Sequence, residues 1–105
     1  MSYEIEPQLK TKACRELYRA LAGVKRSDHA AKLLRDILTF EEIEEAARRL
    51  QVARLLDQGT TFRAIADRTS MSTATISRIN YWLHHGTGGY RLALGRLSGG
   101  HSAKT

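Results

Sequence analysis

Residues 62–81 read FRAIADRTSMSTATISRINY, and the spacing of apolar side chains in this stretch decides the fold. Two short helices joined by a three-residue turn must cross steeply, which dictates what each contact position holds. Ile65 anchors the first helix, and Ala66 is small where the two helices approach most closely. Met71 plugs the turn, and Ile76 and Ile79 hold the second helix down. All five positions fit a helix-turn-helix at residues 61–84. Ser70 stands where a glycine ordinarily supplies the turn's left-handed backbone, a conformation that serine reaches at modest cost.

Helical projection at about 100° per residue separates the faces of the second helix. Ile76, Ile79 and Leu83 cluster toward a core, whereas Thr73, Ala74, Ser77, Arg78 and Tyr81 point away. Hydroxyls, a methyl and one arginine suit a helix seated in a DNA major groove. The hydroxyls bond phosphates or base edges, the methyl meets thymine, and arginine favours guanine O6 and N7. Arg63 and Arg68 on the preceding helix are expected to grip phosphates. Ser72, Thr73 and Thr75 at the start of the second helix add hydroxyls. The alternative for the same pattern is a hydroxyl-rich solvated helix in an unrelated bundle.

Outward from this segment the chain reads as helices and short turns, with no alternating run long enough for a strand pair. A first helix is expected over residues 7–24, closing near Gly23 in left-handed conformation. A second is expected to start after Ser27 or Asp28, acting as N-cap. Thr39 and Glu42 form a reciprocal capping box for a third, which runs to about Asp57 and ends at Gly59. Its apolar surface, Ile43, Ala46, Ala47, Leu50, Ala53 and Leu56 widened by Val52 and Leu55, is broad enough to need several neighbours. The second helix of the motif ends near His85, Gly86, Gly88 and Gly89 interrupt, and a last segment covers residues 90–97. The domain is taken as residues 1–97, with 98–105 as a disordered polar tail.

The chain has 105 residues and a net charge of +6, a size at which a monomer buries only about 60–70% of its unfolded surface. A dimer would help its core. The charge is unevenly spread. Residues 1–40 carry eight bases and five acids, 41–60 three and five, and from 61 onward six bases face a single acid, Asp67. A basic C-terminal half points to an anionic polymer as partner. No apolar run is long enough for a membrane span. The start, MSYEIEPQLK, carries acids where a secretion signal needs bases and an apolar stretch, so a cytoplasmic protein is expected. A lone Cys14 rules out an internal disulfide and suits a partly buried thiol. His84 and His85 are adjacent and diverge by about 100°, so no metal or other cofactor is expected. No nucleophile–base pairing, P-loop or dinucleotide turn appears, and the reading is not an enzyme.

Residues 38–83, LTFEEIEEAARRLQVARLLDQGTTFRAIADRTSMSTATISRINYWL, resemble the Trp repressor family, and in particular the Trp-repressor-like YerC/YecD-type proteins. The likeness continues through HHGTGGYRLALGRL, covers about residues 8–97, and is most distinctive at Thr-Ala-Thr-Ile-Ser-Arg, 73–78. The resemblance implies an all-α, intertwined homodimer whose two helix-turn-helix heads, 61–69 with 73–84, each place a second helix in a major groove. It also implies a corepressor pocket in which two arginines fall at Arg49 and Arg78, with Leu38 and Thr39 as neighbouring wall. There this chain departs: Ile79 replaces a glycine beside the ligand, and Trp82 replaces a serine that would contact it. The indole of Trp82 either takes the space of a free tryptophan or packs as a core aromatic under the head, and the two are compatible. The expected function is a homodimeric, sequence-specific regulator of transcription, a repressor needing no L-tryptophan. The competing reading is a helical dimer acting as a protein-interaction adaptor with only sequence-blind DNA affinity.

Overall fold

The computed structural model describes residues 4–99, and among these every regular element is helical. A single 3-10 turn at Pro7–Leu9 precedes α1 (Lys12–Ala22), α2 (Ser27–Ile37), α3 (Phe40–Asp57), α4 (Phe62–Thr69), α5 (Thr73–His85) and α6 (Gly89–Gly99). The chain forms two compact units, Ile5–Ala46 and a second from Ala47 onward.

In the first unit, local chemistry places the helix ends. One helix over 7–24 is not what forms. Pro7 opens a 3-10 turn, and Thr11 then starts α1 afresh by accepting the amide of Cys14 at 3.2 Å. The Tyr18 hydroxyl donates to the carbonyl of Leu9 at 2.7 Å, tying the turn to α1. Gly23 closes α1 with φ −81°, a right-handed rather than left-handed residue. Ser27 and Asp28 are also not N-caps: Arg26 holds that position and Ser27 is already helical. The Arg26 guanidinium binds Asp28 through Nε at 2.9 Å and holds that carboxyl below its ordinary range. The Thr39–Glu42 box forms as read, with the Thr39 amide donating to Glu42 Oε1 at 2.8 Å and the Glu42 amide to Thr39 Oγ1 at 3.1 Å. No residue of this unit is buried, and Cys14 is half-buried. An apolar hollow of about 410 Å³ opens between Ala31, Leu34, Phe40 and Ile43.

The second unit holds the core. Val52, Ala53, Ile65, Ile76, Ile79, Leu83 and Leu94 are buried, with Leu50, Leu55, Leu56, Ala66, Met71 and Tyr90 packed around them. The end of α3 is a left-handed glycine closure: Gly59 takes φ +85°, its amide donates to the carbonyl of Leu56, and that of Thr60 to Leu55. Gly86, after α5, is required for a different reason, since a Cβ there would sit 2.4 Å from the carbonyl oxygen of Trp82. α6 reaches Gly99, two residues into the stretch expected as a tail, and residues 100–105 lie outside the described ones.

Candidate nucleic-acid interface

Two helices and a turn build the site, and each part has a local cause. Thr61 caps α4 by accepting the amide of Ala64 at 3.2 Å. α4 ends when Ser70 adopts φ 62° and ψ 15°, so the serine does take the left-handed position usually given to glycine. Ser72 caps α5 by accepting the amide of Thr75 at 3.1 Å. The turn between has a support that sequence reasoning missed. Thr69 is buried; its hydroxyl donates to the carbonyl of Ile65 at 2.7 Å and accepts the amide of Met71 at 3.3 Å. A threonine at the last position of a short helix was its signal, because such a hydroxyl bonds back to the preceding turn.

The five positions that fix the motif pack inward together. Ile65, Ile76 and Ile79 are buried, while Ala66 and Met71 are half-buried against the same core. Burying each isoleucine contributes roughly 1.5–3 kcal/mol, so the crossing of α4 and α5 is rigidly held. The face of α5 so presented is exposed at Ser72, Thr73, Ala74, Ser77, Arg78 and Tyr81. Thr75 is half-buried at its flank. Arg63 and Arg68 are exposed on α4, and Asp67 is the one acid in either helix. The face is therefore net cationic and rich in hydroxyls.

The residues of the implied corepressor pocket are distributed differently. Leu38 ends α2 and Thr39 caps α3, both within the first unit. In the second, Arg49 lies near Tyr90, whose hydroxyl burial pushes up in pKa while the Arg49 charge holds that rise back. Ile79 is only 4% exposed, its side chain taken up by the core. Trp82 is no buried core aromatic in the single chain: it is 43% exposed. It lines an open cavity of about 460 Å³ with Leu50, Gly86, Thr87, Tyr90 and Ala93. The Tyr81 ring meets the indole edge-on at 5.3 Å.

Beyond the end of α5, Arg91 on α6 donates to Asp57 on α3 and to His84 Nδ1 at 3.3 Å. No short-range pattern points to this link, which joins Arg91 and Asp57 across 34 positions. Among the described residues no group of three or more His, Cys, Asp or Glu side chains is placed to hold a metal ion. No helix among them is long and apolar enough to cross a membrane.

The family model for the Trp repressor protein matches residues 12–98, spanning both units and the whole of the α4–turn–α5 head. The chain belongs to the Trp repressor family. It is 36% identical over 90 residues to the uncharacterised protein YerC of Bacillus subtilis (strain 168), covering 86% of each chain. It also superposes on a TrpR-like protein from Eubacterium eligens ATCC 27750 with a TM-score of 0.81 and 38% identity, over 88% of this chain and 95% of that one. For a candidate Trp repressor from Staphylococcus aureus the TM-score is 0.78 at 33% identity, over 86% and 90%. Fold and family agree with the all-α reading, and the family is one of DNA-binding regulators rather than of enzymes.

Proposed function

We propose that this Trp repressor family member is a sequence-specific, homodimeric DNA-binding repressor of the cytoplasm that works without L-tryptophan. The observation that carries the reading is the division of α5. Ile76, Ile79 and Leu83 fix one side in the core, and Ser72, Thr73, Ala74, Ser77, Arg78 and Tyr81 are exposed on the other. Such a helix is presented rigidly, so its backbone loses little freedom when it enters a major groove. Arg78 is the base reader, Ala74 the thymine contact, and Ser72, Thr73 and Ser77 bond phosphates or base edges. Arg63 and Arg68 neutralise phosphates, which makes binding fall steeply with salt.

Two further features support the finer parts. Leu17, Leu21, Ile37 and Phe40 are 39–58% exposed in the single chain, an apolar surface that a second copy would cover. Ile79 and Trp82 stand where a corepressor would need a glycine and a serine. The first is closed into the core, and the second sets an indole on the wall of the open cavity, so both change the surface a free tryptophan would meet.

Selection from random duplexes at about 150 mM salt, a condition that suppresses sequence-blind binding, tests the proposal. The expected product is a palindromic motif with half-sites about one helical turn apart, recovered equally with and without L-tryptophan. A motif that appears only with tryptophan contradicts the ligand-free part. No motif in either condition contradicts the regulator itself and leaves the adaptor reading.

A further inference from the structure

Arg78 is the arginine of the proposed reading helix, and its guanidinium has a neighbour on that same helix. Among the described residues the polar contact it makes is from Nη2 to Thr75 Oγ1, at 3.5 Å. Thr75 is itself held. It sits three residues back on the same helix, half-buried, with its amide donating to Ser72 Oγ at 3.1 Å and the two hydroxyl oxygens 3.0 Å apart. A chain of contacts therefore runs from the N-cap of α5 to the guanidinium: Ser72 fixes Thr75, and Thr75 faces Arg78. The last contact is long, so it biases the guanidinium rather than locking it. The bias still matters. An arginine carries many rotamers, and bidentate pairing with a guanine edge requires one plane and one direction. One N–H committed to Thr75 leaves four others for the base.

We propose that Thr75 is the positioning residue for Arg78: it aims the guanidinium and so sets the base preference at one position of each half-site. This rests on the reading of α5 as the DNA-reading helix. A purely structural threonine at the helix start would affect stability or general affinity. An aiming threonine affects discrimination at the base pair that Arg78 reads and leaves the other positions alone.

The test is random-duplex selection at about 150 mM salt with four proteins: the wild type, Arg78→Ala, Thr75→Val and Thr75→Ser. Thermal melts alongside check that each variant folds. Arg78→Ala identifies the base pair read by the arginine, as the position whose preference disappears. Thr75→Val preserves shape and removes the acceptor. It is expected to lower preference at that same base pair by roughly 2–12-fold, the worth of one net hydrogen bond, with the rest of the motif and the salt slope unchanged. Thr75→Ser keeps the acceptor and is expected to keep the preference. An unchanged motif for Thr75→Val overturns the proposal, as does a uniform loss of affinity across all sequences. If the wild type selects no motif, the regulator reading fails and takes this inference with it.

Discussion

From Ile5 to Ala46 no side chain is buried, whereas from Ala47 onward seven apolar residues close around α3, α4, α5 and α6. The first unit does not lack apolar faces, since α1 and α2 are strongly amphipathic. What differs is where the apolar faces go. In the first unit, order comes from helix ends: Thr11 on Cys14, Arg26 on Asp28, and the reciprocal Thr39–Glu42 pair. A hydroxyl cap contributes about 1 kcal/mol, against roughly 1.5–3 kcal/mol for each large side chain in the core. In the proposed homodimer the first region specifies its helices locally and leaves their apolar faces to the second copy, while the other region carries its own core and presents the head.

That contrast can be broken at several points. The largest effect is expected in the core, where Ile65 is 0% exposed. Ile65→Ala should lower unfolding stability by about 2–5 kcal/mol in denaturant titration. It should also abolish DNA binding, because Ile65 fixes the crossing of α4 and α5. A loss below about 1 kcal/mol would mean that the core is not the source of rigidity. Next, Leu17→Ser with Leu21→Ser should shift sedimentation from dimer toward monomer. The two are 39% and 41% exposed, already more than half covered, so about 1–3 kcal/mol of association is at stake rather than their full burial. An unaltered dimer would show that another face joins the copies. Thr39→Ala removes half of the capping box and should cost about 1 kcal/mol, read from the melting of the helical signal.

The smallest effect concerns Asp28. Its carboxyl is held below the ordinary Asp value by Arg26, so the pair's contribution is present above that value and fades as pH falls through the lowered one. In Arg26→Ala, an NMR titration of Asp28 should move back up to the ordinary range while the melting temperature at neutral pH barely changes. Exposed pairs are weakly coupled to folding. An Asp28 titration that stays put would mean the helix N-terminus, not Arg26, depresses it.

The same contrast explains what was legible in the sequence. Ile65, Ala66, Met71, Ile76 and Ile79 were readable because steric fit between two crossing helices fixes residue types at fixed spacing. The Thr39–Glu42 box and the Gly59 closure were readable because both are local, with every partner within five residues. The start of α1 was misplaced because apolar periodicity continues through Lys10 and Thr11, while a hydroxyl cap overrides it. α2 begins one residue earlier than its capping residues suggest, with Arg26 at the N-cap position and no side chain capping it. Gly23 was expected left-handed, yet it closes α1 from the right-handed region. The Arg91 link to Asp57 and His84 depends on tertiary approach, which no short-range pattern encodes. Trp82 was visible as a departure from the family's pocket. Its exposure beside Tyr81 and its place in the 460 Å³ cavity follow only from three-dimensional packing.

The central claim is that the exposed face of α5 reads DNA, and Arg78 is its sharpest test. Equilibrium binding of wild type and Arg78→Ala to the selected duplex, at two salt concentrations and alongside an unrelated duplex, measures it directly. The account predicts a loss of roughly 1–3 kcal/mol on the selected duplex, and a smaller loss on the unrelated one. Equal affinity of the two proteins for the selected duplex would contradict it.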